Sequence, residues 1–225
     1  MTKKSHNQPG WFHVNRFSFL LVSIVLFLIL RPFVEGFVRI SFLMEIFISA
    51  ILLSGIYAVS EDRLSLVVAL VTGVPALFAN WCFQLLKIPS LFLIHQISGG
   101  LFFAAATIII VRHLINQKVI TADLIWGAVC GYFLIGFMWG DIYSILETIQ
   151  PGSFNLGQQQ TPDIDSFIYF SFVTLATLGY GDIVPLTEQA QSLTIIEAVM
   201  GQMYLAVNIA ALVAIRISQS RSRDP

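Results

Sequence analysis

The sequence predicts an all-α integral membrane protein with six transmembrane helices and a short re-entrant helix before the last of them. Three observations carry that reading. Hydrophobic residues make up 56% of the 225 and charged ones 11%, against about 25% charged in a soluble domain. The apolar residues fall into six runs, each near the ~20 residues a bilayer needs. Between the fifth and sixth runs stands an apolar stretch too short to span, followed by a glycine-rich one. The formal net charge of −1 offers no basic surface, and no nucleic-acid partner is expected.

The expected spans are residues 17–34, 38–60, 64–86, 91–111, 124–145 and 190–215. Arg31 and Pro32 interrupt the first near its end, where Arg31 is expected to snorkel to the interface. A cleaved signal peptide is the rival reading there, but "RPFVEGF" after Leu30 lacks small residues at cleavage spacing. Orientation follows from lysine and arginine. With the N-terminus inside, Lys3, Lys4, Arg16, Arg63, Arg112, Lys118, Arg216, Arg221 and Arg223 are cytoplasmic, and Arg31, Arg39 and Lys87 lie outside. Nine of the twelve basic residues thus satisfy the positive-inside rule. Trp11 and Trp126 fall near the inner interface, Trp81 and Trp139 near the outer one. Both termini are expected in the cytoplasm of a multi-pass protein of the cell (plasma or inner) membrane.

This topology puts residues 146–189 outside. "ETIQPGSFNLGQQQTPD" (147–163) is polar and reads as an exposed turret. "SFIYFSFVTLAT" (166–177) is apolar but too short to cross, which suggests a re-entrant segment. Thr161-Pro162-Asp163 supplies a start signal: a hydroxyl cap, a proline in the first turn and an acid where the helix dipole favours it. A helix over 163–176 is expected to dip into the bilayer with its C-terminal end pointing inward. Non-helical backbone at membrane depth must be buried in protein or line a watery cavity.

The chain that follows is "TLATLGYGDIVP" (174–185). Gly179 and Gly181 allow backbone angles that a side chain forbids. Alternating them with Leu178 and Tyr180 can turn successive carbonyl oxygens to one side while the larger side chains pack outward. Four such strands around an axis would stack rings of oxygen, the Thr177 hydroxyl innermost. Such rings can replace the hydration shell of a monovalent cation. Asp182 would add a negative ring at the mouth.

"TLATLGYGD" resembles the selectivity-filter signature of tetrameric potassium channels of the pore-loop superfamily, Thr-x-Gly-Tyr-Gly followed by Asp. The resemblance covers the C-terminal third and is that of a prokaryotic-type six-helix subunit without an arginine-bearing fourth helix. It implies a homotetramer in which Thr177, Leu178, Gly179, Tyr180 and Gly181 coordinate the ion, with K⁺ held at Thr177, Leu178, Gly179 and Tyr180. It also implies filter support from Asp182 and Thr174, and an aromatic brace from Tyr169 and Phe170, where the family usually has two tryptophans. Ala176 departs from the usual threonine. Gly201, twenty-four residues beyond Thr177, resembles the hinge glycine of inner helices. From Gln202 the stripe Leu205, Ile209 and Val213 either faces the pore as a hydrophobic gate or packs against lipid or protein. Ala206, Ala210, Ala211 and Ala214 permit close helix crossing.

The chain accordingly divides into a cytoplasmic N-terminus (1–16), a four-helix domain standing where voltage-gated channels carry their sensor (17–113), a pore domain (114–217) and a tail (218–225). A sensor needs repeated arginines, since each charge crossing the field contributes about 2.3 kcal/mol per 100 mV. Residues 91–111 contain no lysine or arginine, so no steep voltage dependence is expected from that helix.

Ionisable residues inside spans are functional hypotheses. Glu197, one turn before Gly201, is expected to hydrogen-bond behind the re-entrant helix, in a modulatory or a plainly structural role. Asp141, ~30 Å of helix beyond the start of its span, is expected at the outer interface. Glu45 is expected to pair with Arg39 or Arg31, and His95 to be a satisfied interfacial histidine. Cys82 and Cys130 read as buried small side chains without disulfide or metal. The function expected is passive K⁺ conduction with K⁺ as the only cofactor, no organic one, and lipid and further copies of the chain as partners. A poorly selective cation channel and a pore-loop subunit of a potassium-uptake transporter remain alternatives. The four histidines are too scattered for a catalytic cluster, and no enzyme is expected.

Overall fold

The computed structural model describes residues 16–34, 41–60, 63–86, 88–117, 120–157 and 163–221. Expectations for Trp11, Arg39, Lys87, Lys118, Thr161, Pro162 and the two termini lie outside these residues, as does the Glu45 side chain. The described chain is mostly helical: α1 (Arg16–Val34), α2 (Ser41–Val59), α3 (Arg63–Leu86), α4 (Pro89–Asn116), α5 (Ala122–Ile149), α6 (Ile164–Leu175) and α7 (Glu188–Arg221), with the short strands β1 (Phe154–Asn155) and β2 (Val184–Pro185). Among the described residues four helices are long and apolar enough to cross a membrane: α3, α4 from Leu91, α5, and α7 to Ile217. This is a multi-pass membrane architecture.

Local signals explain the boundaries. α4 opens on Pro89, whose missing N–H belongs to an unpaired first turn anyway. α5 is capped by the Thr121 hydroxyl, which accepts from the Leu124 amide at 3.2 Å. Asp123 in its first turn also accepts from the Phe17 amide at 3.2 Å, tying the starts of α1 and α5 together. α6 is capped by Asp163, which accepts from the Ser166 amide at 2.7 Å. The capping side chain is therefore the acid and not a hydroxyl.

The helices meet around Phe137 of α5. Its ring packs on Phe27 of α1, Phe103 of α4 and Phe172 of α6 at 5.9, 5.5 and 5.7 Å between centroids. α4 ends at Asn116, α5 begins at Ala122, and the two helices pack along each other, while α1 lies along another side of α5. At its C-terminal end α1 touches α6, because Arg31 forms an ion pair with Asp165 and sits over the Phe27 ring. Arg31 is thus held by a carboxylate at the start of α6, where the helix dipole also favours that carboxylate. Two glycines of α5 let α6 in. A Cβ at Gly136 would meet the Phe172 ring at 2.5 Å, and one at Gly140 would meet the Ile168 backbone at 3.0 Å.

Two further expectations are corrected. Trp139 is buried, its indole N–H donating to Met200 Sδ at 3.5 Å, so it joins α5 to α7 and not to an interfacial belt. Asp141 is 6% exposed and packed against α4. α5 continues to Ile149, four residues past its expected end, which leaves Asp141 about two turns and Trp139 nearly three turns inside the helix. Of the cysteines, Cys130 is buried and Cys82 only partly so.

Candidate functional site

The site is the irregular stretch between α6 and α7, and it begins where α6 stops. The Thr177 amide donates to Thr174 O and the Leu178 amide to Val173 O, each at 2.9 Å. Those two bonds close a Schellman motif in which Thr177 takes the left-handed position usually given to glycine. Its φ is +58°, and among the described residues no other non-glycine has a positive φ. A β-branched residue there is a genuine outlier.

The left-handed geometry then recurs at every second residue, with φ of +58° at Gly179 and +76° at Gly181. In an extended strand successive carbonyls alternate in direction. Alternating the hand of the backbone undoes that alternation and turns neighbouring carbonyls to one side. Among the described residues the amides of Gly179, Tyr180 and Gly181 make no backbone hydrogen bond. Leu178 and Tyr180 are 56% and 67% exposed on the single chain. Unpaired backbone of this kind is excluded from lipid.

Both ends of the stretch are anchored. At its C-terminal end the Tyr169 hydroxyl donates to Asp182 Oδ2 at 2.7 Å, and the Ile183 amide donates to Asp182 Oδ1 at 3.1 Å. The hydroxyl bond holds the Asp182 carboxyl below its ordinary pKa. β1 pairs antiparallel with β2 in the register Phe154↔Pro185 and Asn155↔Val184, and Ser153 O accepts from the Leu186 amide at 2.8 Å. Gly157, at φ +62°, closes on the Asp182 carbonyl, which a Cβ there would meet at 2.6 Å.

The expected turret is consequently not all exposed. Phe154 is buried, with its ring 5.3 Å from Tyr143, 5.3 Å from Phe167 and 5.6 Å from Phe170. Glu147 is buried too, accepting from the Gly152 amide at 2.8 Å and the Phe154 amide at 3.1 Å. The expected aromatic pair splits accordingly: Tyr169 reaches Asp182 at the C-terminal end of the stretch, whereas Phe170 turns into this cluster, 5.2 Å from Tyr143.

Behind α6 lies Glu197 of α7, fully buried. It accepts from the Tyr143 hydroxyl of α5, and its Oε1 lies 2.5 Å from Ser171 Oγ of α6. Ser171 Oγ is also 2.8 Å from Gly136 O. Three helices therefore share one hydrogen-bonded cluster. Gly201 marks the closest approach of α7 to the end of α6, since a Cβ there would lie 2.8 Å from Leu175 O. α7 runs unbroken through Gly201. Leu205, Ile209 and Val213 form one exposed stripe beyond it.

Tyr143, Ser171, Glu147 and Phe154 were not singled out from the sequence. Ser171 and Glu197 both interrupt apolar runs, which is the signal that could have paired them; Tyr143 and Phe154 look like any core aromatic. Residues 124–216 match a family model described as ion channel. The match spans most of α5, all of α6 and the loop, and α7 to Arg216, leaving out α1 to α4, and it indicates an ion channel of the pore-loop kind. No curated protein matches the chain.

Proposed function

We propose that the chain is one subunit of a homotetrameric, potassium-selective channel that conducts K⁺ passively. The observation that carries this is the left-handed backbone at Thr177, Gly179 and Gly181 within Thr-x-Gly-Tyr-Gly-Asp. Four copies around an axis present the carbonyls of Thr177, Leu178, Gly179, Tyr180 and Gly181, with the Thr177 hydroxyl, as successive oxygen rings. K⁺ sheds its water into them at Thr177, Leu178, Gly179 and Tyr180. Neighbouring copies also cover Leu178 and Tyr180 and enclose the unpaired amides, which neither lipid nor one subunit does.

Leu205, Ile209 and Val213 line the cavity beneath. Asp182 and Tyr169 hold the outer mouth, and the cluster at Glu197 fixes α6 from behind. The pore domain comprises residues 114–217. The first four helices flank it with no gating charge in residues 91–111, so conduction depends weakly or not at all on voltage. The subunit sits in the cell membrane with both termini in the cytoplasm.

The test is cation flux into liposomes carrying purified protein, comparing K⁺ with Na⁺, beside Gly179→Ala. Alanine at a φ of +58° is strained whatever the space around it. The expected result is K⁺ flux well above Na⁺ flux, abolished by the substitution. Equal fluxes favour the poorly selective channel. Flux untouched by Gly179→Ala, or a particle mass other than four subunits, overturns the proposal.

A further inference from the structure

We infer that the seam between α4 and α5 holds a site for one monovalent cation, a proton or an alkali ion, seated on Asp141. The inference stands on this seam alone and is independent of the reading of the loop.

Asp141 is 6% exposed and Gln96 of α4 is 1% exposed. Asp141 Oδ2 and both amide atoms of Gln96 have no hydrogen-bond partner among the described residues. Gln96, Gly99 and Gly100 share one face of α4 by helical spacing. Asp141 lies against that face: a Cβ at Gly99 would stand 3.2 Å from Oδ2, and one at Gly100 3.7 Å. The glycine pair therefore leaves the room that the carboxyl occupies. The polar band continues into α3, where Asn80 Oδ1 lies 2.9 Å from His95 Nε2, with Asn80 Nδ2 and His95 Nδ1 again lacking partners.

Buried polar atoms are nearly always hydrogen-bonded, and an isolated buried carboxylate demands neutralisation. The charged and titratable groups on the surrounding elements are committed elsewhere. Arg31 of α1 pairs with Asp165 of α6, and His95 contacts Asn80. Along α5 and α7, Tyr143 donates to Glu197 and Glu147 accepts two amides. None of them reaches Asp141 Oδ2. One carboxyl among neutral amides supplies a single negative charge. A divalent ion would leave an uncompensated positive charge in the same low-dielectric place, so the occupant carries one charge. The carboxyl and amide oxygens are hard donors that suit a proton or Na⁺ and not a soft metal.

The experiment uses purified full-length protein at constant K⁺, titrated with Na⁺ against choline and, separately, with pH. Thermal unfolding and the infrared carbonyl stretch of protonated carboxyls are read in wild type, Asp141→Asn and Gln96→Leu. An alkali-ion site shows as a saturable rise of the unfolding midpoint with Na⁺ that Asp141→Asn abolishes and Gln96→Leu weakens. A proton site shows as a protonated-carboxyl band at neutral pH that is lost in Asp141→Asn, shifted in Gln96→Leu and indifferent to Na⁺. Asp141→Asn mimics the neutralised site and is expected to fold. Were it not to, the wild-type titrations with the Gln96→Leu shift decide. A wild type with neither Na⁺ dependence nor a band sensitive to these positions overturns the inference.

Discussion

Counting protons at Glu197 gives a prediction that separates two otherwise similar substitutions. The cluster contains three short contacts: Tyr143 hydroxyl to Glu197, Ser171 Oγ to Glu197 Oε1 at 2.5 Å, and Ser171 Oγ to Gly136 O at 2.8 Å. The two hydroxyls supply only two protons. All three contacts are hydrogen bonds when Glu197 contributes a proton of its own to Ser171, which then donates to Gly136 O. Glutamine reproduces that arrangement, accepting from Tyr143 with its oxygen and donating to Ser171 with its nitrogen. Glu197→Gln is therefore expected to cost less than about 1 kcal/mol. Tyr143→Phe leaves a buried acceptor unsatisfied and is expected to cost about 1–3 kcal/mol. Glu197→Leu leaves the Tyr143 hydroxyl without its acceptor, while Ser171 still donates to Gly136 O, and should cost at least as much. Denaturant unfolding of the purified protein in detergent measures all three, and the double variant Tyr143→Phe/Glu197→Leu gives the coupling. Glu197→Gln as damaging as Glu197→Leu, or single-variant costs that simply add, would refute the reasoning.

Three further outcomes are expected. Thr177→Gly removes left-handed strain of about 1–2 kcal/mol and should raise stability while lowering K⁺ over Na⁺ selectivity, as read by unfolding and by liposome flux on one preparation. Gly201→Ala forces α7 away from Leu175 O, 2.8 Å from the new Cβ, and should destabilise by about 1–3 kcal/mol in the same unfolding assay. The Asp182 pKa is depressed in the folded protein, so the Tyr169 bond contributes fully above the unfolded value near 4 and is lost as pH falls through the lower folded value. An acid titration of Asp182 by NMR should show its pKa returning toward the ordinary value in Tyr169→Phe, with neutral-pH behaviour carrying the whole cost of the substitution.

What could be read from the sequence was whatever depends on neighbours along the chain. The short helix α6, its acid at residue 163 and the left-handed glycines 179 and 181 follow from spacing, capping and backbone sterics. Thr177 did not, because left-handed geometry at a threonine is imposed by the Schellman closure of α6 and not by its own preference. Asp141 and Trp139 were misplaced for one common reason: their surroundings come from helices far away in sequence. The partner of Arg31, Asp165, was likewise hidden because it lies on another helix. A carboxyl twenty residues into a helix looks interfacial until α5 proves a turn longer and α4 packs over it. Phe154 was hidden inside a polar turret because one aromatic carries no periodicity. The Tyr143–Glu197–Ser171 cluster needed three helices at once.

The brevity of the join between α4 and α5 has a mechanical corollary. Residues 117–121 are too few to form a lever arm lying across the membrane face, and the two helices run side by side from there. A displacement of α4 along its axis is handed directly to α5 as shear, and through the Phe137 contacts to α6 within the same layer. Any stimulus sensed by the leading helices would arrive at the loop as sideways pressure on the wall behind it, and at α7 through the bonds that α5 makes to Met200, Glu197 and Tyr204.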